Sequence, residues 1–192
     1  TIINDILDFS KIEAGRMMLE EIPFNLTEEL EHVGELFKPL AEEKGLTLHI
    51  DISHDVPNRL IGDPFRLRQV ISNLVSNAVK FTEKGKIVIS AILMESYKNQ
   101  VNLLFTVEDT GIGIPQDRIK EIFGSYTQAR GSVQRKFGGT GLGTAIAKQL
   151  VELMHGEIWV ESPSAFSVDP DFPGSRFSLT IEAYSNEKIE KS

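Results

Sequence analysis

Ile2, Ile3, Ile6, Leu7, Phe9 and Ile12 recur at three- and four-residue steps, the spacing of one face of an α-helix. Ala14-Gly15-Arg16 supplies a stop, and Pro23 forbids helix beyond the stretch 17–22. Those apolar positions cover more than one seam, so this helix expects a partner helix. A second helix is predicted from a cap at Asn25 or Thr27 to about Lys44, closed by Gly45, and residues 46–52 alternate as a half-buried strand. Asp63-Pro64 opens a third helix to about Phe81. Residues 87–94 and 101–108 then read as an antiparallel hairpin across a polar turn at 95–100. From Asp109 to about Gly141 the chain is rich in Gly, Gln, Ser and Arg, with a short helical pattern at 117–123; a loop of that length is usually functional. A helix over 145–154 ended by Gly156, a strand at 157–161, a Pro-rich loop at 162–174, a strand at 176–183 and a loose polar tail from Ser185 complete the pattern. Helices interspersed with mostly antiparallel strands predict an α+β fold, a two-layer α/β sandwich.

The 192 residues, 41% hydrophobic and 25% charged, have an ordinary globular composition. A formal charge of -8 and a pI near 5.1, without a basic block, argue against nucleic acid as a partner. The absence of cysteine removes disulfides, thiolate catalysis and Cys-based zinc sites. The longest apolar stretches, such as 87–94, fall far short of the ~18–20 residues of a membrane-spanning helix, and no signal-peptide pattern opens the chain. Because the chain starts at Thr1 inside a helical pattern, it reads as a piece of a longer protein.

Two glycine clusters frame the long loop: Asp109-Thr110-Gly111-Ile112-Gly113-Ile114 after a strand, and Gly138-Gly139-Thr140-Gly141-Leu142-Gly143 before a helix. Glycine permits positive φ and close backbone approach, and the second cluster sits at a helix N-terminus that attracts phosphate. Taken singly, each is also compatible with a flexible turn. The Walker pattern does not fit, since no Gly-Lys-Ser/Thr occurs, and the Rossmann pattern places its glycines after the first strand of a parallel sheet. On the helix 63–81, Asn73 and Asn77 lie one turn apart amid apolar residues. They are either solvated at the helix edge or partnered, since an unpartnered buried amide costs ~1–3 kcal/mol.

In combination the motifs are specific. Asn73-Leu74-Val75-Ser76-Asn77-Ala78-Val79-Lys80-Phe81-Thr82, the Asp109–Ile114 cluster, Ile122-Phe123-Gly124-Ser125-Tyr126-Thr127-Gln128 and Lys136-Phe137 with the second glycine cluster resemble, in order, the N, G1, F and G2 boxes of sensor histidine kinases. Residues 4–15, Asn-Asp-Ile-Leu-Asp-Phe-Ser-Lys-Ile-Glu-Ala-Gly, resemble the end of the second dimerisation helix, particularly of hybrid members. The resemblance implies the histidine kinase/gyrase-type ATP-binding fold over 23–185, a dimerisation-helix fragment over 1–22 and a flexible tail over 186–192. It implies ATP and Mg²⁺ as ligands. Asn77, with Asn73 beside it, would hold Mg²⁺, which prefers few protein oxygens plus phosphates and water. Lys80 would partner a phosphate, Phe81 cover the adenine, and Asp109 accept the adenine amine, with Ser178 joining through a water. Gly111 and Gly113 would admit the base. The N–H groups of Gly139, Thr140, Gly141, Leu142 and Gly143 would hold phosphates, beneath a lid at 114–138 from which Arg130, Arg135 and Lys136 reach the γ-phosphate.

The family's phosphoacceptor, a His followed by an acidic residue on the first dimerisation helix, would lie upstream. Of the four His here, His54 precedes Asp55 but sits in a connection, and His32, His49 and His155 lack that neighbour. The implied partners are dimerisation helices, its own or those of a partner subunit in a homodimer, and a response-regulator receiver domain, in a cytoplasmic setting. Gyrase-type ATPases of the same superfamily carry a Glu four residues before the metal-binding Asn; here that position is Asn73, which cannot accept a proton at neutral pH. A degenerate nucleotide-binding scaffold is opposed by Asn77, Asp109 and both glycine clusters. Thr144, Gly124, Ser125 and the long 162–174 loop depart from the usual family pattern.

Overall fold

The computed structural model describes residues 2–124 and 143–185, with side chains from Ile6 onward. The elements run α1 (Ile2–Glu13), β1 (Ile22–Asn25), α2 (Leu26–Glu43), β2 (Thr47–Ile52), β3 (Arg59–Gly62), α3 (Pro64–Phe81), β4 (Lys86–Tyr97), β5 (Gln100–Asp109), α4 (Gln116–Ile119), α5 (Gly143–Leu153), β6 (Ile158–Glu161) and β7 (Ser175–Tyr184). One sheet takes the order β1-β3-β7-β5-β4-β2, with β6 also pairing β7. Every pairing is antiparallel except β2 with β4. The expected two-layer α+β sandwich is what the chain forms, the helices covering one face of the sheet.

Strict alternation builds that face. Ile87, Ile89 and Ala91 of β4, Val101, Leu103, Phe105 and Val107 of β5, and Phe177, Leu179, Ile181 and Ala183 of β7 all turn inward and are buried. Against them pack Leu26, Leu30 and Val33 of α2, Val70, Ile71, Leu74 and Val75 of α3, and Ile146, Leu150 and Val151 of α5. Asn25 caps α2 by accepting from Glu28 N (3.1 Å), and Asp63 caps α3 by accepting from Arg66 N (2.9 Å), followed by Pro64 at the first helical position. Two short strands, β1 and β3, were not expected. The hairpin β4–β5 is longer than predicted, its turn shrinking to Lys98-Asn99 with Lys98 at φ 54°. Ser185, expected in the loose tail, is buried instead: its N–H donates to Asn99 O (2.7 Å) and its hydroxyl to Arg59 O (3.0 Å). None of the described helices is long and apolar enough to cross a membrane.

Candidate functional site

Asp109 ends β5 with the same inward parity as Val107, so its carboxylate faces the helical layer at the rim of the sheet. It is 3% exposed. Oδ1 accepts from the N–H of Gly111 (2.8 Å) and Oδ2 from the hydroxyl of Ser175 (2.5 Å), the residue directly opposite on β7. Burial pushes its pKa above the usual carboxylate range and nearby Glu108 pushes the same way, while the bonds from Ser175 and Gly111 oppose them. Ser178 is not the partner of Asp109. It stands opposite Thr106 and Trp159, three residues along β7 from Ser175, and an odd separation places it on the other face of the sheet. Sequence reasoning missed Ser175, although strand parity at the Gly174-Ser175 entry to β7 carried the signal.

The loop after β5 presses on the end of α3. A Cβ on Gly111 would lie 2.4 Å from Phe81 O, 2.9 Å from Asp109 Oδ1 and 2.9 Å from Thr82 Oγ1, and Ile112 N donates to Phe81 O (3.3 Å). Gly113 adopts φ +67°, which L side chains rarely take. Thr82 is fully buried and its hydroxyl has no hydrogen-bond partner among the described residues, a polar atom beside the Asp109–Gly111 turn that sequence reasoning did not single out. Lys80 lies with Nζ 4.9 Å over the Phe81 ring, and burial lowers its pKa.

Asn73 and Asn77 share one face of α3, both half-buried. The Asn73 amide donates to Gly143 O at the start of α5 (3.2 Å), which ties the α3 motif to the end of the second glycine cluster. Asn77 has no side-chain hydrogen bond within the described residues, so its carboxamide oxygen is available to an exogenous ligand. A single amide oxygen, one helical turn from the Asn73–Gly143 contact, fits Mg²⁺, which keeps most of its shell for water and phosphates. Among the described residues no group of three or more His, Asp or Glu could hold a metal instead. Thr144 is buried and donates to Ile122 O (2.8 Å), joining α5 to the turn after α4, where Phe123 meets Phe177 edge-on. Arg130, Arg135, Lys136, Gly138, Gly139, Thr140, Gly141 and Leu142 lie outside the described residues. All four His are exposed.

The structure thus brings Asp109, Gly111, Gly113 and Phe81 to one rim of the sheet, and Asn73, Asn77 and Gly143 to the adjoining face of α3. Residues 62–185 match a family model described as histidine kinase-, DNA gyrase B-, and HSP90-like ATPase. The sensor histidine kinase GacS of Pseudomonas protegens is 45% identical over 179 residues, which are 91% of this chain and 20% of that protein. The signal transduction histidine-protein kinase BarA of Escherichia coli is 47% identical over 188 residues, 98% of this chain and 20% of that protein. The chain therefore spans about a fifth of the length of these relatives. Among solved structures, full-length ShkA in complex with AMPPNP superposes with a TM-score of 0.78 at 30% identity, covering 98% of this chain and 36% of that one. The catalytic domain of histidine kinase ThkA gives 0.63 at 27% identity, covering 86% of this chain and 95% of that domain.

Proposed function

Because the chain belongs to the family of histidine kinase-, DNA gyrase B- and HSP90-like ATPases, we propose that it is the ATP-binding catalytic domain of a sensor histidine kinase. The observation that carries this reading is the buried Asp109 carboxylate, acceptor only when ionised, fixed by Ser175 and Gly111 in a turn whose glycines let the backbone pack too closely for any side chain. Such a carboxylate matches the exocyclic amine of adenine, a donor. Asn77, with Asn73 adjoining, would hold Mg²⁺, which would supply positive charge to neutralise the phosphates. Lys80 adds a cation at the same end. Phe81 covers the base, and Gly139, Thr140, Gly141, Leu142 and Gly143 hold phosphates by their N–H groups, with Arg135 and Lys136 approaching from the lid.

The chain's own groups bind and orient; the nucleophile is a His on an upstream dimerisation helix. Its imidazole nitrogen bonds to the γ-phosphorus as the bond to the β–γ bridging oxygen breaks, and ADP leaves; the phosphoryl then passes to an Asp of a receiver domain. Hydrolysis by water is disfavoured because the position of the ATPase general base is Asn73, whose amide already donates to Gly143 O.

The test is incubation with γ-labelled ATP, with and without a dimerisation-helix fragment carrying the family's His. Acid-labile label should appear on the added fragment alone, at low rate because the pieces are untethered. Robust labelling of the chain itself would put a phosphosite on His32, His49, His54 or His155. In parallel, Asn77→Ala should abolish the Mg²⁺-dependent part of ATP affinity and spare adenosine binding; equal loss of both would make Asn77 structural.

A further inference from the structure

Residues 162–174 join β6 to β7 by a connection much longer than the roughly two to five residues an antiparallel pair needs. The two ends of this loop close on each other: Ser164 N donates to Pro173 O (2.8 Å), and the Ser162 hydroxyl to Gly174 O (2.7 Å). From that neck, bonds run to the loop that follows β5. Ile114 N donates to Ser162 Oγ (3.0 Å), Gly174 N to Gly111 O (2.8 Å), and the Gln116 amide to Ser162 O (2.6 Å). The two loops interlock without room for side chains. A Cβ on Gly113 would lie 2.6 Å from Pro173 Cγ and 2.8 Å from Ser162 Oγ, and one on Gly174, at φ +66°, would lie 2.2 Å from Asp109 O.

A second anchor fixes the other side of the same turn. Phe166 N donates to Glu108 Oε1 (3.2 Å), and Lys86 Nζ sits 4.0 Å over the Phe166 ring. Glu108, 2% exposed and immediately before Asp109, is held by Arg176 through two bonds of 2.9 and 2.7 Å.

We infer that the 162–174 loop is a brace that holds residues 109–116 in their base-accepting geometry, with Ser162 as its positioning residue. The inference rests on reading 109–113 as the adenine pocket. Its consequence is selective: the brace governs affinity for the nucleoside part of ATP and leaves the phosphate end, on α3 and α5, to itself. Without the Ser162 hydroxyl, Ile114 N–H and Gly174 C=O lose their shared partner and the base-accepting loop is populated only part of the time. Apparent affinity then falls in proportion to that population.

The experiment uses the 192-residue chain and titrates adenosine and MgATP by displacement of a fluorescent ATP analogue. Ser162→Ala should weaken both about 5- to 30-fold by the same factor, with amide hydrogen exchange at Gly111 and Ile114 accelerated and the circular dichroism spectrum unchanged. Gln116→Ala, an exposed site that removes one outer bond, should weaken both about 2- to 4-fold and carries the test if Ser162→Ala does not fold. Unchanged adenosine affinity in a folded Ser162→Ala chain, or loss confined to MgATP, would overturn the brace. Failure of the unmodified chain to bind either ligand would instead overturn the ATP-site reading on which the brace depends.

Discussion

Asp109 is a carboxylate kept where a charge is costly. Its raised pKa, caused first by desolvation, means that the folded chain takes up a proton there more readily than the unfolded chain. The stability linked to that proton is present in acid and is lost as pH rises from about 3.9, the ordinary carboxylate value, through the folded value. Asp109→Asn removes the charge and keeps an oxygen to accept from Gly111, so at neutral pH the urea midpoint should stay the same or rise. MgATP affinity should meanwhile fall about 10- to 150-fold, the equivalent of about 1.5–3 kcal/mol for a hydrogen bond to a charged group, because an amide can present a donor to a donor. For the unmodified chain, affinity should decline as pH is lowered through the raised pKa, at higher pH than an ordinary carboxylate would give. Calorimetric titration with urea unfolding measures both; full affinity in a folded variant would take Asp109 out of the base pocket. At this scale the sequence singled out Asp109, Gly111 and Gly113, where the hydrogen bonds and close backbone packing do require those residue types. It misplaced Ser178 for Ser175, because register across β5 and β7, not local motif, decides which hydroxyl meets the carboxylate.

Helix α3 carries both asparagines, and its C-terminus is finished by another element. Lys44, the C-cap residue of α2, donates to Val79 O (2.6 Å), Lys80 O (3.1 Å) and Thr82 O (3.3 Å), placing an ammonium where the helix dipole is negative. Lys44→Met should cost about 1 kcal/mol, discounted for its exposure, and lower Tm by about 2–4 °C while MgATP affinity stays within about twofold. A larger loss of affinity than of stability would mean that Lys44 acts on the site itself. The long elements were legible because periodicity and caps agreed: α2 and α3 begin at Asn25 and Asp63 as their side chains dictate. β1 and β3 were not, since each is four residues long, β1 contains Pro23, and what extends them is long-range pairing, β1 with β3 and β3 with β7. Gly156 marks the stop after α5, and the structure supplies the reason. The positive φ belongs to His155, whereas Gly156 is required because a Cβ there would lie 1.7 Å from Thr180 O of β7.

In the whole molecule, α1 and the stretch that follows it are fastened to the start of α3. Asp8 Oδ2 accepts from Arg66 Nη1 (2.8 Å) and from the Gln69 amide (3.0 Å), and Arg66 also donates to Gln69 Oε1 (2.7 Å). Asp63, the cap of α3, accepts in addition from Glu20 N (3.0 Å). Asp8 and Arg66 side chains are only 14% and 16% exposed, so this pair is shielded from solvent in a way surface ion pairs are not. Phe9 and Ile12 pack on the core beside it, while Ile6 and Leu7 stay 50% and 53% exposed. The polar cluster therefore sets how α1 is carried relative to the helix that bears Asn73 and Asn77. Asp8→Ala leaves Arg66 half-satisfied and should raise amide exchange in residues 6–13 about tenfold, equivalent to ~1.4 kcal/mol of local opening, with exchange in the core strands unchanged. Arg66→Ala should do the same, and the double variant should add little to either, since both singles remove one interaction. Additive effects of the two substitutions would show that Asp8 and Arg66 act separately, and unchanged exchange in both single variants would show that apolar packing alone holds α1 in place.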